Sequence, residues 1–255
     1  MACCSARLGL RTAVVDLDLM FGNAYELLGV EEVKDLGMLA AEAAHGVLSE
    51  RSLVQTSMRV MPDLTLWGPG AFPERAELLG NAAELLIGTL RRESDVVFVD
   101  TSRTWTDAVA YAVSACDRCL LVGDQAVGGP AALGRIAGMV TRLGVPRTRM
   151  VCVVNRFGQR ACTEEAAMRL EMAASLSAKV RIPDGGSSLS SLLAFGRADE
   201  AARGQDQFGR SVRAYTRSLL RELACPVGPG TPEEELSAFM RPRLRLPWKR
   251  AGEGL

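Results

Sequence analysis

The sequence predicts an α/β fold built on a mainly parallel, doubly wound sheet, and three stretches predict it. TAVVDLD, 12–18, is an apolar run that closes on two carboxylates, Asp16 and Asp18. DVVFVD, 95–100, closes on Asp100, and MVCVVNR, 150–156, closes on Asn155 and Arg156. A strand buried on both faces reads as a near-continuous apolar run, and parallel strands gather ligands where they end. Helical patterns of ordinary length separate these runs, as β-α-β units require.

The other elements follow in order. Residues 2–8 read as the last turns of a helix, with Gly9 as its left-handed stop. After the first strand, residues 23–29, 35–44 and 47–57 read as short helices, and LTLWG, 64–68, as a short strand. Residues 73–92 form a helical pattern with Pro73 in the first turn and Arg91 and Arg92 in the last. TDAVAYAVSA is a helix, CLLVG a strand, and 130–143 a helix between Pro130 and Gly144. A helix over 163–177, a strand AKVRIP, and helices near 188–196 and 207–224 complete the series. PVGPGTP, 226–232, is a Pro/Gly break. One domain is thus expected over 1–225, with a linker and tail over 226–255.

Composition narrows the class. Hydrophobic residues make up 48% and charged residues 24% of the 255, enough apolar material for one sizeable core. Thirty basic and thirty acidic side chains cancel, so no global field favours nucleic acid. No apolar run approaches the ~20 residues that span a bilayer. Seven cysteines, an odd number, several inside apolar patterns, suggest buried thiols in a reducing cytoplasm. Cys116 and Cys119 have metal-ligand spacing, but no second pair accompanies them, so a helix end followed by a strand start is the simpler reading. His45 is the single histidine, which excludes a His-based triad.

Each strand end admits two readings. Asp16 and Asp18, two apart, share a face and can meet a metal, its waters or an attacking water; equally, such acids cap the next helix. Asp100 fits an acid that holds Mg²⁺ in a phosphoryl-transfer site, or a turn former. Asn155 can read a purine edge with its donor and acceptor, or simply turn the chain. Pro183-Asp184-Gly185-Gly186 can wall a base pocket, or form a plain turn. The tail from Phe239 to Arg250 carries five basic residues and no acid, interleaved with apolar ones. It suits an anionic membrane surface or a partner, and equally a solvated tail. No G-x-x-x-x-G-K-[ST] loop occurs in the chain, and no G-x-G-x-x-G follows a strand.

VVDLDLMFGN, LTLWGPGAFPERAELL, DVVFVD, CLLVGDQ, VCVVNRFGQR and RIPD stand in the order and spacing of the ParA/MinD-type ATPases, which have a P-loop NTPase-like fold. The sequence resembles the CpaE/TadZ branch most, a branch associated with placing Tad (type IV) pilus machinery. The likeness covers about residues 1–224. It implies ATP and Mg²⁺ as cofactors, a homodimer, pilus or secretion components as partners, and a cytoplasmic protein that can sit at the inner membrane face. It implies that Asp18 orients the hydrolytic water, with Asp16 as its strand-end companion. It implies that Asp100 holds Mg²⁺ through water, that Asn155 and Arg156 lie beside the adenine, and that Pro183 and Asp184 form the second base-contacting loop. The sequence departs from the family where ACCSARLG stands for the end of a helix that a strand and a lysine-bearing Gly-rich loop usually precede. The sheet is therefore expected to lack its first, central strand. Its neighbours, DVVFVD and CLLVG, then either pair directly or face each other across a slot. Ser102 and Arg103 stand where the family commonly has proline two residues after the acid. Without phosphate-gripping lysines, ATP hydrolysis is not expected of this chain. A non-catalytic scaffold and a DNA- or septum-positioning ATPase are the alternatives, the DNA role disfavoured by the balanced charge.

Overall fold

A computed structural model describes residues 1–228 other than 102, 103, 125, 127 and 160–162. The readings of Ser102, Arg103 and the basic tail lie outside these residues. The chain opens with α1 (Ala2–Arg7), β1 (Thr12–Asp16) and α2 (Ala24–Leu27). A 3₁₀ turn at Leu36–Leu39 leads into α3 (Ala40–Ala43) and α4 (Glu50–Thr56). Strands β2 (Met58–Met61) and β3 (Leu64–Trp67) follow, then a 3₁₀ segment, Pro73–Leu79, and α5 (Gly80–Glu93). The rest alternates: β4 (Val96–Asp100), α6 (Asp107–Ala115), β5 (Cys119–Gly123), α7 (Gly129–Arg142), β6 (Met150–Phe157), α8 (Glu164–Ala174) and β7 (Lys179–Pro183). Helices α9 (Gly186–Ala194), α10 (Ala198–Arg203) and α11 (Gln207–Glu222) close the domain.

The strands form two hydrogen-bonded sheets, β2-β3-β1-β4 and β5-β6-β7. All pairs are parallel except β2 with β3. That hairpin corrects the sequence reading, which took only 64–68 as strand. Met58 and Leu66 pack on one face while Arg59 stays exposed, and this alternation is too short to stand out in the sequence. The expected helix over 73–92 is 3₁₀ until Gly80, and α10 is an addition. β1 stops at Asp16 rather than Asp18, because the Asp16 carboxylate takes the Asp18 N–H and turns the chain out of the ladder.

One apolar cluster runs beneath both sheets. It joins Val15 and Leu17, Leu86 of α5, Val109 of α6, Ala137 of α7, Leu170 of α8, and Leu121 and Cys152 from the second sheet. The opposite faces carry separate clusters: Val14, Leu64 and Leu66 pack against α1 and α10, and Val151, Val153 and Ile182 pack against α11. Val212 of α11 touches both of these. The sheets thus share their helices, yet among the described residues no ladder joins β4 to β5.

Candidate functional site

The first strand end is organised by a buried carboxylate. Asp16 is only 1% exposed. Its Oδ1 accepts the Asp18 N–H at 2.9 Å and its Oδ2 the Ala24 N–H at 3.2 Å. The loop 17–23 therefore wraps around one side chain and ends on the first residue of α2. Two glycines make room. A Cβ on Gly22 would collide with the Asp16 carboxylate, and one on Gly68, whose φ is +92°, would lie 2.5 Å from the Asp16 carbonyl oxygen. Asp18 sits on the wrapped loop, where its Oδ1 accepts the Phe21 N–H at 3.2 Å.

Asp100 ends β4 directly opposite Asp16 in the ladder, and the Leu17 N–H donates to the Asp100 carbonyl at 2.8 Å. The three acids feel one another. Burial pushes the Asp16 carboxyl up to about 6, against two backbone N–H donors, with Asp100 and Asp18 raising it further. Burial and then the Asp18 charge raise Asp100. No basic side chain forms an ion pair with any of the three among the described residues.

The residues expected beside a base form a second group, at the ends of β6 and β7. Phe157 pairs with Pro183, and the Asp184 N–H donates to the Phe157 carbonyl at 2.9 Å. Asn155 Oδ1 accepts the N–H of Arg156, which adopts a left-handed φ of 53°. Asp184 Oδ2 accepts the Gly186 N–H at 3.2 Å and so leads the chain into α9. The structure thus brings Asp16, Asp18 and Asp100 together, and Asn155, Arg156, Pro183 and Asp184 together. No hydrogen bond or ion pair links the two groups among the described residues.

A cavity of about 520 Å³ lies beside the Asp18 loop, walled by Phe21, Tyr25, Val33, Asp35 and Pro69 among others. Sequence reading missed the residue that shapes it. Asp35 Oδ1 accepts both the Gly37 and the Ala71 N–H at 2.8 Å, fastening the loop after β3 to the loop before α3. The signal was present as an acid two residues before a glycine, an ordinary capping pattern.

The donor set decides which groups fit. Carboxylates that repel one another and lack a cationic partner suit a divalent cation held through water. They do not close on one directly: among the described residues no group of three or more ligating side chains could hold a metal ion. A triphosphate fits poorly, because the chain has no lysine-bearing Gly-rich loop to neutralise it.

No family model matches the chain, and no curated protein matches it. Solved structures do. The ParA family ATPase from Chlorobium tepidum TLS superimposes with a TM-score of 0.71 at 16% identity, over 84% of this chain and 92% of that one. The septum site-determining protein MinD from Pyrococcus horikoshii OT3, complexed with Mg-ADP, gives 0.67 at 14% identity, over 86% and 88%. A protein from Borrelia burgdorferi B31, described as a plasmid partition protein and bound to AMPPNP, gives 0.61 at 12% identity, over 86% and 90%. With its largely parallel sheet and acid-ended strands, the chain carries the fold of the ParA/MinD ATPases.

Proposed function

We propose that this chain is a ParA/MinD-type positioning protein, one that marks a place in the cell for a partner assembly. The observation that carries the reading is the Asp16–Asp100 pair in ladder register with Asp18 on the loop above, in a fold shared with ParA and MinD. Within it, Asp18 is the residue for orienting water, Asp100 for a water-held Mg²⁺, and Asp16 the buried post that sets the loop. Asn155–Arg156 and Pro183–Asp184 are the two loops for a base. Septum or plasmid placement is favoured over a pilus role, because the similar structures are named for septum-site determination and plasmid partition. The pilus reading rests on the resemblance to the CpaE/TadZ branch alone. Action as a homodimer, and at a membrane surface through the basic tail, belongs to the same proposal. No helix among the described residues is long and apolar enough to cross a membrane.

The proposal includes weak nucleotide use by these 255 residues alone. Phosphoryl transfer is mostly positioning and charge stabilisation, and each lost electrostatic element costs roughly 10²–10³ in rate. The reading that a phosphate-holding loop is not among these residues rests on the sequence alone. ATP titrated into the chain with millimolar Mg²⁺ is expected to give little binding heat and no phosphate release. Steady ATP hydrolysis that disappears in Asp18→Ala would overturn this part. A fluorescent fusion collecting at the division site or with a replicon supports the positioning role, and an even distribution in the cell sinks it.

A further inference from the structure

A second cavity, of about 480 Å³, lies between the loop 46–48, the start of α4, the last turns of α5, and α6. It shares no residue with the cavity beside the Asp18 loop. Its floor is apolar. Leu53 belongs to the shared core, and Leu48, Leu85 and Tyr111 are half-buried against that core. Its walls are acidic. Glu50, Glu84 and Glu93 are all exposed, and none has an ion-pair partner among the described residues. Arg92, which also lines it, turns its guanidinium onto its own helix, donating to the Gly88 carbonyl at 2.8 Å and to the Thr89 hydroxyl at 3.2 Å. An apolar floor between unpaired carboxylates suits an occupant that is both apolar and cationic.

The described chain ends near this groove. After α11 the Cys225 N–H donates to the Leu220 carbonyl at 2.9 Å, and Arg217 and Arg221 donate to the Gly228 carbonyl at 3.0 and 3.2 Å. The Cys225 thiol, raised mainly by burial, is raised further by the charges of Asp95 and Asp117, so it lies near both. Asp95 follows the end of α5 by two residues, and Arg91 in the last turn of α5 approaches Asp117 to 3.9 Å. The chain thus leaves the fold at the foot of α5, the helix whose Glu93 and Glu84 line the groove. From Glu93 to Glu84 that helix runs about 14 Å. Residues 229–238 reach roughly 33–36 Å fully extended, and about 16–19 Å on average as a flexible linker. The groove is within their reach.

We propose that the segment from Phe239 to Arg250 docks in this groove of its own chain. Its five basic residues, with no acid among them, answer the three glutamates. Its apolar residues, Leu244, Leu246 and Trp248 among them, answer the floor. Arg241, Arg243 and Arg245 alternate with Pro242, Leu244 and Leu246, so an extended segment presents cations on one side and apolar groups on the other. Pro242 and Pro247 are tolerated, because an extended segment in a groove needs no helical hydrogen bonds. A short flexible tether holds such a segment at millimolar effective concentration, so contacts that are weak one by one suffice. This inference goes beyond the positioning role and does not depend on it.

Lys249 makes the test specific, since the other lysines of the chain are Lys34 and Lys179 and neither lines the groove. The full chain, kept dilute, is treated with a water-soluble carbodiimide, which joins an amine to a carboxylate in contact with it, and the linked peptides are mapped by mass. Links from Lys249 to Glu84, Glu93 or Glu50 are expected within one chain, as a mixture of isotope-labelled and unlabelled copies shows. Two tail variants are each expected to lower the yield of these links about tenfold: Arg241→Gln with Arg243→Gln and Arg245→Gln, which removes charge, and Leu244→Asp with Leu246→Asp, which removes apolar surface. Both leave residues 1–228 as they are, so neither removes a contact within the described fold. Four results overturn the proposal. Lys249 joins only Glu233–Glu235 of the linker, or nothing. The links join two chains, which would mean that a second copy fills the groove. The yield is the same in both variants as in the parent chain. Or groove links are missing while vesicles of phosphatidylglycerol and phosphatidylcholine shield the tail from trypsin, which would give the segment to a membrane surface instead.

Discussion

At the carboxyl ends of β1 and β4, three carboxylates crowd together, and among the described residues backbone N–H groups meet them but no ion pair does. On β7 and α8 the charges are matched instead. Arg181 contacts Glu171 and Glu164 at 2.6 Å each, Lys179 lies 3.6 Å from Glu171, and the Arg181 guanidinium covers the Phe157 ring. The contrast separates two uses of charge. The second sheet pairs its ions and gains rigidity under the loops at Asn155 and Asp184. The first sheet keeps unpaired carboxylates at a cost, and such cost is expected where a ligand, rather than the fold, supplies the missing charge.

The largest expected effect tests whether the two regions are one structure. Leu86 is fully buried in the cluster that reaches both sheets. Leu86→Ala is expected to cost about 2–5 kcal/mol. Amides in β3 and in β6 should lose protection together. Loss confined to the first sheet would show two separate units and break the comparison at its root.

The next effect is a pH dependence that belongs to the first sheet. The folded Asp16 carboxyl titrates at about 6, above its ordinary 3.8. A raised acid binds its proton more tightly when folded. Its stabilising contribution is therefore complete below 3.8 and is lost as pH rises through 6. Asp100 is raised in the same direction. Two pH units correspond to on the order of 3 kcal/mol. Denaturant midpoints between pH 4 and pH 7 should fall for the parent chain and change much less for Asp16→Asn. An unchanged slope in the variant would mean that Asp16 is not the titrating group.

The second sheet offers the matching measurement. Glu171, 8% exposed, holds two cations, so Glu171→Ala is expected to cost about 1–3 kcal/mol in denaturant unfolding. A cost under about 0.5 kcal/mol would place the cluster among ordinary surface pairs.

What the sequence made legible follows the same division. β1, β4, β5 and β6 were readable because each is a continuous apolar run, and β7 because Val180 and Ile182 alternate with charged residues. β2 was not, because its pattern depends on a hairpin partner that only the fold supplies. The acids at 16 and 100 could be found as strand ends, and Asp18 only as their near neighbour, since it lies on the loop past β1. Their unequal roles could not. That both oxygens of Asp16 are spent on Asp18 and Ala24 depends on a loop closing over eight residues, and no local pattern encodes it. Of the two partners of Asp35, Gly37 was legible as a local cap, while Ala71, 36 residues away, was not.

The smallest expected effect probes the unpaired charge directly. At pH 7, Asp18 and Asp100 face each other without a cation among the described side chains, so a divalent ion held through water should relieve their repulsion. A ligand that binds only the folded state stabilises by RT ln(1 + [L]/Kd). Weak, water-mediated binding with a Kd of about 2–8 mM gives about 0.5–1 kcal/mol at 10 mM Mg²⁺. For a chain of this size that is a rise of roughly 1–4 °C in Tm. Sodium chloride at equal ionic strength should give less, because screening acts on all surface charges alike. Asp100→Asn should remove the Mg²⁺-specific part, whereas Glu164→Gln, on the paired second sheet, should keep it. A shift that survives in Asp100→Asn, or that salt alone reproduces, would mean that the crowded acids hold no ion, and the contrast between the two rims would then be one of folding, not of ligand binding.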